Sequence, residues 1–341
     1  MGFHRKEKAN MSQDTVSYIE KLRLSSRKHK SILCVGLDPL PEVYPFSELP
    51  PSERIVKTFE RLFDQMSRRN LIPGAFKPNI GYYHRLDRPL EGDFSGSRAL
   101  AAILKLLGEA FPETPVILDA KRGDIATSSA NYAEEAFACW MADAVTVAPY
   151  MGSDSTGPFL KWSNQGRGVY ILNRTSNPGG KELQNLSVHG PAISPDTHPD
   201  AHPDTQAKEQ TEKPSSGLRN RPLYLEVAEA IARAAKSAPG TGAVVGATNP
   251  KELEDLAVFY SNYSDMSIPL LIPGVGGQGG SAKLTVSSLR NAGYPLEQVR
   301  INSSSGITHP WAKQKQAPPT DWEQVCIDAF ARLTEETGYA G

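Results

Sequence analysis

Residues Val116–Met141 read VILDAKRGDIATSSANYAEEAFACWM. A short apolar run, Val116–Ala120, passes through a charged turn into a segment with helical spacing over Ser129–Met141. The run is rich in Val, Ile and Leu and lacks the alternation of a half-exposed strand, which suits a parallel strand buried on both faces. Seven further runs of this kind punctuate the chain: Ile32–Gly36 (ILCVG), Ala75–Pro78 (AFKP), Ala144–Ala148 (AVTVA), Gly168–Asn173 (GVYILN), Ala243–Ala247 (AVVGA), Pro269–Gly274 (PLLIPG) and Val299–Ser303 (VRINS). Amphipathic segments lie between them, among them Glu53–Ser67, Ser97–Phe111, Leu223–Ala235 and Asp321–Thr334. Asn249-Pro250-Lys251-Glu252 has the form of a helix start, with an Asn cap, proline in the first turn and Glu three residues after the cap. Eight strands alternating with helices predict an α/β chain folded as a (β/α)8 TIM barrel rather than an open doubly wound sheet.

Two segments stand outside the alternation. Residues 1–31 predict a polar tail and a lead-in helix near Thr15–Ser26. Residues 181–222 hold six prolines and the near-repeat DTHPDAHPDT, with almost no large apolar residue after Leu186. Such a stretch buries too little surface to offset its ordering entropy, so a flexible insertion is expected there. The expected organisation is one catalytic barrel over 32–336, interrupted at 181–222. His189, His198 and His202 in this region form a possible metal-binding tract, with a solvated loop as the plainer reading.

Composition narrows the function classes. The 341 residues carry Lys+Arg 37 against Asp+Glu 38, a net charge of -1, which leaves no overall attraction to nucleic acid or anionic membrane. No run approaches the roughly 18 apolar residues that span a bilayer. Cys34, Cys139 and Cys326 are too far apart for a disulfide framework or zinc spacing. A soluble protein of the reducing cytoplasm is expected. Gly 28 and Pro 27, with a mean hydropathy of -0.40, form a surplus that the insertion explains in part.

In such a barrel the chemistry sits at the C-terminal ends of the strands. Asp119 and Lys121 are two residues apart on one extended strand and project to the same side. Lys77 at the end of the neighbouring strand would alternate charges with them, each holding its partner ionised. Buried charges of this kind are costly for structure alone, which favours function over an ion-pair cap. After the seventh strand, Gly274-Val275-Gly276-Gly277-Gln278-Gly279-Gly280 offers backbone N–H groups where barrels often bind phosphate, beside Ser305-Gly306 after the eighth. His84 and His309 have no partners at triad or metal spacing and read as surface or satisfied core histidines. Cys34 reads as an inert buried thiol. Arg122-Gly123-Asp124 matches an adhesion tripeptide only by coincidence.

The runs VILDAKRGDIATSSANYAEEAF, DAVTVAPYMGSDSTGPFL and NRTSNPGG, with CVGLDP, FKPN, VVGATNP and PGVGGQGG in order, resemble orotidine 5′-phosphate decarboxylase. The similarity is to the longer bacterial branch with its D-A-K-R-G-D-I signature, and it covers roughly residues 14–180 and 222–336. The resemblance implies decarboxylation of orotidine 5′-phosphate to UMP in pyrimidine synthesis, without a cofactor or metal. It implies catalytic roles for Lys121, Asp119, Lys77 and Asp124, with Asp124 reaching the partner's site in a homodimer. It assigns Asp38 to the ribose hydroxyls, Ser176 to the pyrimidine, Gln278, Gly279, Gly280, Ser305 and Gly306 to the phosphate region, and Ser128 to a position usually held by threonine.

One position departs from the pattern. The last loop in the family reads like N-S-S-R-G-I, whereas here it is Asn302-Ser303-Ser304-Ser305-Gly306-Ile307. Serine cannot make the charged, bidentate contact of arginine. Arg300 is the nearest substitute cation in sequence. Two rivals follow. One is a magnesium-dependent sugar-phosphate decarboxylase or aldolase of the same barrel, against which KRGD and Arg174–Gly179 argue. The other is a catalytically weak nucleotide-binding relative, motivated by Ser305.

Overall fold

The apolar runs pair side by side as the eight parallel strands of a barrel. The computed structural model describes residues 16–190, 219–263 and 268–341. The strands are β1 (Leu33–Leu37), β2 (Ala75–Pro78), β3 (Ile117–Arg122), β4 (Ala144–Val147), β5 (Gly168–Arg174), β6 (Thr241–Val245), β7 (Leu270–Ile272) and β8 (Val299–Ser303). They hydrogen-bond in the order β2-β1-β8-β7-β6-β5-β4-β3. Parallel bridges Phe76↔Val116 and Asn79↔Asp119 join β2 to β3 and bring the ends of the sheet together. The predicted strands agree with these to within two residues at either end, and Ala75–Pro78 and Val299–Ser303 coincide with them.

The helices pack their apolar stripes on the outside of this sheet. α1 (Tyr18–His29) precedes it, followed by α2 (Pro51–Arg68), α3 (Ser95–Ala110), α4 (Ala126–Glu134), α5 (Ser153–Leu160), α6 (Leu223–Ser237), α7 (Pro250–Tyr263), α8 (Ala282–Asn291) and α9 (Trp322–Thr337). The Asn249 cap forms as its sequence implies, with Oδ1 accepting the Glu252 N–H at 3.3 Å. The helix expected over Ser129–Met141 starts earlier, at Ala126, and changes to π-type winding over Glu135–Cys139.

The lead-in helix α1 closes the N-terminal end of the barrel. Its Tyr18 and Leu22 pack with Cys34, Ala75, Ile117, Ala144, Tyr170, Val244 and Leu271, contributed by seven successive strands. Gly168 makes room for this, since a Cβ there would lie 2.2 Å from the Tyr18 ring. The eighth strand contributes Arg300, which is fully buried. Its guanidinium donates to the carbonyls of Leu22, Gly74, Glu297 and Val299 and to Ser26 Oγ, at 2.7–3.2 Å. With the bottom plugged, the C-terminal mouth is the open end.

The flanks of the expected insertion are ordered. Gly180–Gln184 forms a helical turn, and Ser187–Gly190 pairs antiparallel with Arg219–Pro222. Residues 181–190 and 219–222, for which flexibility was expected, thus include a helical turn and a paired hairpin, because backbone pairing satisfies them. Residues 1–15 and 191–218, with His198 and His202, lie outside the described residues, as does most of the proposed metal-binding tract.

Candidate active site

Asp119 stands on β3 at the barrel mouth and is 7 % exposed, so its charge needs partners. Lys77 on β2 supplies one, Nζ to Oδ2 at 2.6 Å, and Lys121 supplies another, Nζ to Oδ1 at 2.5 Å. Asp38, just after β1, has Oδ1 at 3.9 Å from Lys77 Nζ and continues the alternation of charge. Burial by itself would raise the Asp119 carboxyl, but the two ammonium groups outweigh it and hold it below the usual carboxylate range. Burial works against the Lys77 charge in the same way, and Asp119 and Asp38 more than offset it, so Lys77 is raised above an ordinary lysine.

Asp119 and Lys121 meet as expected, but not through simple strand alternation. The β3–β4 register shifts between Leu118 and Arg122, and Lys121 has φ 47°, in the left-handed region. A non-glycine residue there costs roughly 1–2 kcal/mol and persists only where its surroundings hold it. The N–H groups of Ala120 and Lys121 both donate to Thr146 Oγ1 on β4, at 3.1 and 3.0 Å. The Thr146 hydroxyl in turn donates to Asp119 Oδ1 at 2.9 Å.

These groups line a cavity of about 610 Å³. Of the candidates, Asp38, Lys77, Asp119, Lys121, Ser176, Gln278 and Ser305 lie on its wall, whereas Asp124, Ser128, Gly279, Gly280 and Gly306 do not. Gly280 and Gly306 also shape the loops. Gly280 N–H closes the turn on Gly274 O at 2.9 Å, and a Cβ on Gly306 would lie 2.7 Å from Ser303 Oγ. Asp124 accepts its own neighbour's amide, Ile125 N, at 2.7 Å, and Ser128 is half-buried on the first turn of α4.

Ser305 faces the glycine loop, its Oγ 2.8 Å from where a Cβ of Gly277 would stand. Among the described residues no arginine lines the cavity. Arg300 is no substitute, because its side chain runs to the opposite end of the barrel. Arg174, beside the cavity, is drawn away by the Glu252 carboxylate at 2.8 Å and by Gln184 Oε1 at 3.1 Å. Gln184 also accepts the Thr175 N–H at 3.0 Å, which anchors the loop that carries Ser176.

The wall also includes Asn79, Thr146, Asn302 and Ser304, to which the sequence assigned no role, and His309. His309 is buried, as a satisfied core histidine would be, with Nδ1 2.8 Å from Thr308 Oγ1 and its ring against Tyr44. His84 is half-buried, with its ring 6.3 Å from that of Trp140. Cys34 is fully buried, and burial pushes its thiol up to about 12.

Comparison with known proteins agrees with this fold. Residues 31–195 match the family described as "Orotidine 5'-phosphate decarboxylase / HUMPS family". The orotidine 5′-phosphate decarboxylase of Delftia acidovorans is 35% identical over 300 residues, covering 86% of this chain and 90% of the relative. The chain belongs to the orotidine 5′-phosphate decarboxylase family. Members of this family are carboxy-lyases. The relative from Bordetella avium is 34% identical over 94% of this chain and 98% of its own. Among solved structures, a putative orotidine 5′-phosphate decarboxylase from Streptomyces avermitilis superposes with a TM-score of 0.64 at 26% identity, covering 97% of this chain and 99% of that one. Leishmania donovani UMP synthase superposes with a TM-score of 0.67 at 27% identity, and this chain spans 57% of its length.

Proposed function

We propose that this chain decarboxylates orotidine 5′-phosphate to UMP without a cofactor or metal. The observation that carries the proposal is the line Asp38, Lys77, Asp119, Lys121, an alternation of charge at the open mouth of a barrel of this family. Loss of CO2 leaves an electron pair on a pyrimidine carbon with no adjacent carbonyl to delocalise it. Fixed charge in a water-poor cavity is the means of stabilising such a carbanion. In this reading the Lys121 ammonium faces the developing charge and then donates its proton to that carbon, forming the C–H bond. Asp119 holds Lys121 in place and, with Lys77, keeps the network ionised. Asp38 takes the ribose hydroxyls, Ser176 the pyrimidine, and Gln278 with the Gly274–Gly280 amides the phosphate.

The reading includes a homodimer. The carboxylate of Asp124 lies off the wall of its own cavity and is followed in the chain by exposed Ile125, and Tyr150 and Met151 after β4 are exposed as well, at 59%, 82% and 46% in that order. Exposed large apolar residues of this kind suit burial against a second copy that receives Asp124 and Ser128 at its own site. Three free cysteines fit a cytoplasmic enzyme.

The test follows the absorbance of orotidine 5′-phosphate with wild type and Lys121→Ala, with and without a chelator. Turnover by wild type that survives the chelator and collapses in Lys121→Ala is expected. No turnover by wild type, or an active Lys121→Ala, refutes the reading, and loss on chelation favours the magnesium-dependent rival.

A further inference from the structure

The geometry points to Thr146 as a positioning residue for this reaction: one buried hydroxyl that holds the Lys121 backbone in its left-handed conformation and orients the Asp119 carboxylate at the same time. The inference rests on the decarboxylation reading and adds to it a residue that bears no charge.

A threonine hydroxyl has one donor and two acceptor sites. All three of Thr146 are used within the charged network. It accepts from Ala120 N at 3.1 Å and Lys121 N at 3.0 Å, and it donates to Asp119 Oδ1 at 2.9 Å. At 1 % exposure, no solvent competes for these bonds. The two accepted amides belong to the irregular stretch where β3 slips against β4 and cannot pair regularly with it. Without Thr146 those amides would lose their acceptor, and the left-handed φ at Lys121 would lose what holds it.

The position of the Lys121 ammonium follows from that backbone. Nζ reaches Asp119 Oδ1, the oxygen to which Thr146 also donates. When Lys121 gives its proton to the carbanion and becomes a neutral amine, that oxygen loses a charged donor. The Thr146 hydroxyl remains on Oδ1 and Lys77 on Oδ2, so the carboxylate stays where it was for the next proton. A misplacement of about 1 Å at a reacting group is enough to cost on the order of 100-fold in rate. Thr146 lies on β4, three strands from β7 and the glycine loop in the sheet order, so its effect should fall on the chemical step more than on nucleotide binding.

The experiment compares wild type with Thr146→Val, which keeps the shape and removes the hydroxyl, and Thr146→Ser, which restores the hydroxyl without the methyl. Steady-state kinetics with orotidine 5′-phosphate give kcat and KM, and calorimetry with UMP gives product affinity. Thr146→Val should lose kcat by about 30-fold or more while UMP affinity stays within about threefold, and Thr146→Ser should recover most of the loss. A Thr146→Val enzyme with kcat within about threefold of wild type overturns the inference. So does a Thr146→Ser enzyme as damaged as Thr146→Val, or a loss of UMP affinity in proportion to kcat. Should Thr146→Val not fold, Thr146→Cys replaces it with a weak donor and acceptor, and full kcat in that variant also overturns the inference. Because wild-type turnover is measured in the same assay, failure of the decarboxylase reading itself is seen separately.

Discussion

Ser304, on the loop after β8, donates its hydroxyl to Asp38, on the loop after β1, with Oγ 2.7 Å from Oδ2. The other carboxylate oxygen of Asp38 is buried without a hydrogen-bond partner among the described residues, and Asp38 lines the cavity with Lys77. The contact requires Gly36, because a Cβ there would sit 1.9 Å from Ser304 Oγ. Ser304→Ala should therefore raise KM by about tenfold, the cost of one charge-assisted hydrogen bond, with a smaller change in kcat. In a cycle with Asp38→Asn, the two losses should be less than additive. Fully additive losses would show that the contact does not hold the carboxylate for substrate.

The phosphate end carries hydroxyls and amides where relatives of the expected pattern place an arginine. Ser305→Arg adds a bidentate cation beside Gly277 and should lower KM for orotidine 5′-phosphate by about ten- to a hundred-fold. The gain should shrink as salt is raised, whereas the KM of wild type should vary little with salt. An unchanged KM in Ser305→Arg would mean that the serine loop already grips phosphate fully.

Burial pushes the His309 imidazole from 6.5 down to about 4. Between those values the unfolded chain binds a proton that the folded chain refuses, so stability is complete above the unfolded value of about 6.5 and falls as pH drops toward 4. A shift of this size amounts to about 3 kcal/mol at most. Urea midpoints measured across this window should decline with acid in wild type and decline less in His309→Gln, which does not titrate. Equal slopes in the two proteins would rule out His309 as the group responsible.

Asp119 has the opposite sign of shift and a different window. Its folded-state carboxyl is depressed, so the stabilisation it contributes is present above the ordinary carboxylate value of about 3.9 and is lost only as pH falls further, through the lower folded value. Asp119→Asn leaves Lys77 buried without its nearest counter-charge and should destabilise the fold by about 3 kcal/mol at neutral pH. Thermal unfolding checks this, and a Tm within a degree of wild type would contradict it.

Arg300→Met exchanges the buried guanidinium for an apolar chain of similar length and takes a donor from the carbonyls of Leu22, Gly74 and Val299, of which Gly74 keeps the Ser25 hydroxyl. A loss of about 3 kcal/mol is expected. KM should hold within about threefold, since Arg300 lies at the opposite end from the cavity. A large rise in KM with unchanged stability would place Arg300 in the phosphate site after all.

Much of the fold was legible because parallel strands covered on both faces are written as uninterrupted apolar runs, as AFKP and VRINS show. The charged candidates were legible for a related reason. Lys77, Asp119 and Lys121 are ionisable residues at the ends of apolar strands, where burial without function is costly. Thr146 had no such signal, since a threonine inside AVTVA is an ordinary strand residue. Arg300 was ambiguous because a strand buried on both faces has no alternation to tell inside from outside. Gly279, Gly280 and Gly306 were placed with the phosphate site by their string, and a string of glycines does not tell an amide cradle from a turn.

The sequence by itself determined the alternation of eight strands and helices, the family, and which charged side chains stand at the mouth of the barrel, because burial pattern and residue chemistry are local properties. Tertiary structure alone decided that Lys121 takes a left-handed backbone held by a hydroxyl from the next strand. It also decided that Ser304 secures Asp38 across the mouth and that Arg300 points to the floor. Each of these depends on register between strands far apart in the chain, and register is set by closing the barrel rather than by any one segment.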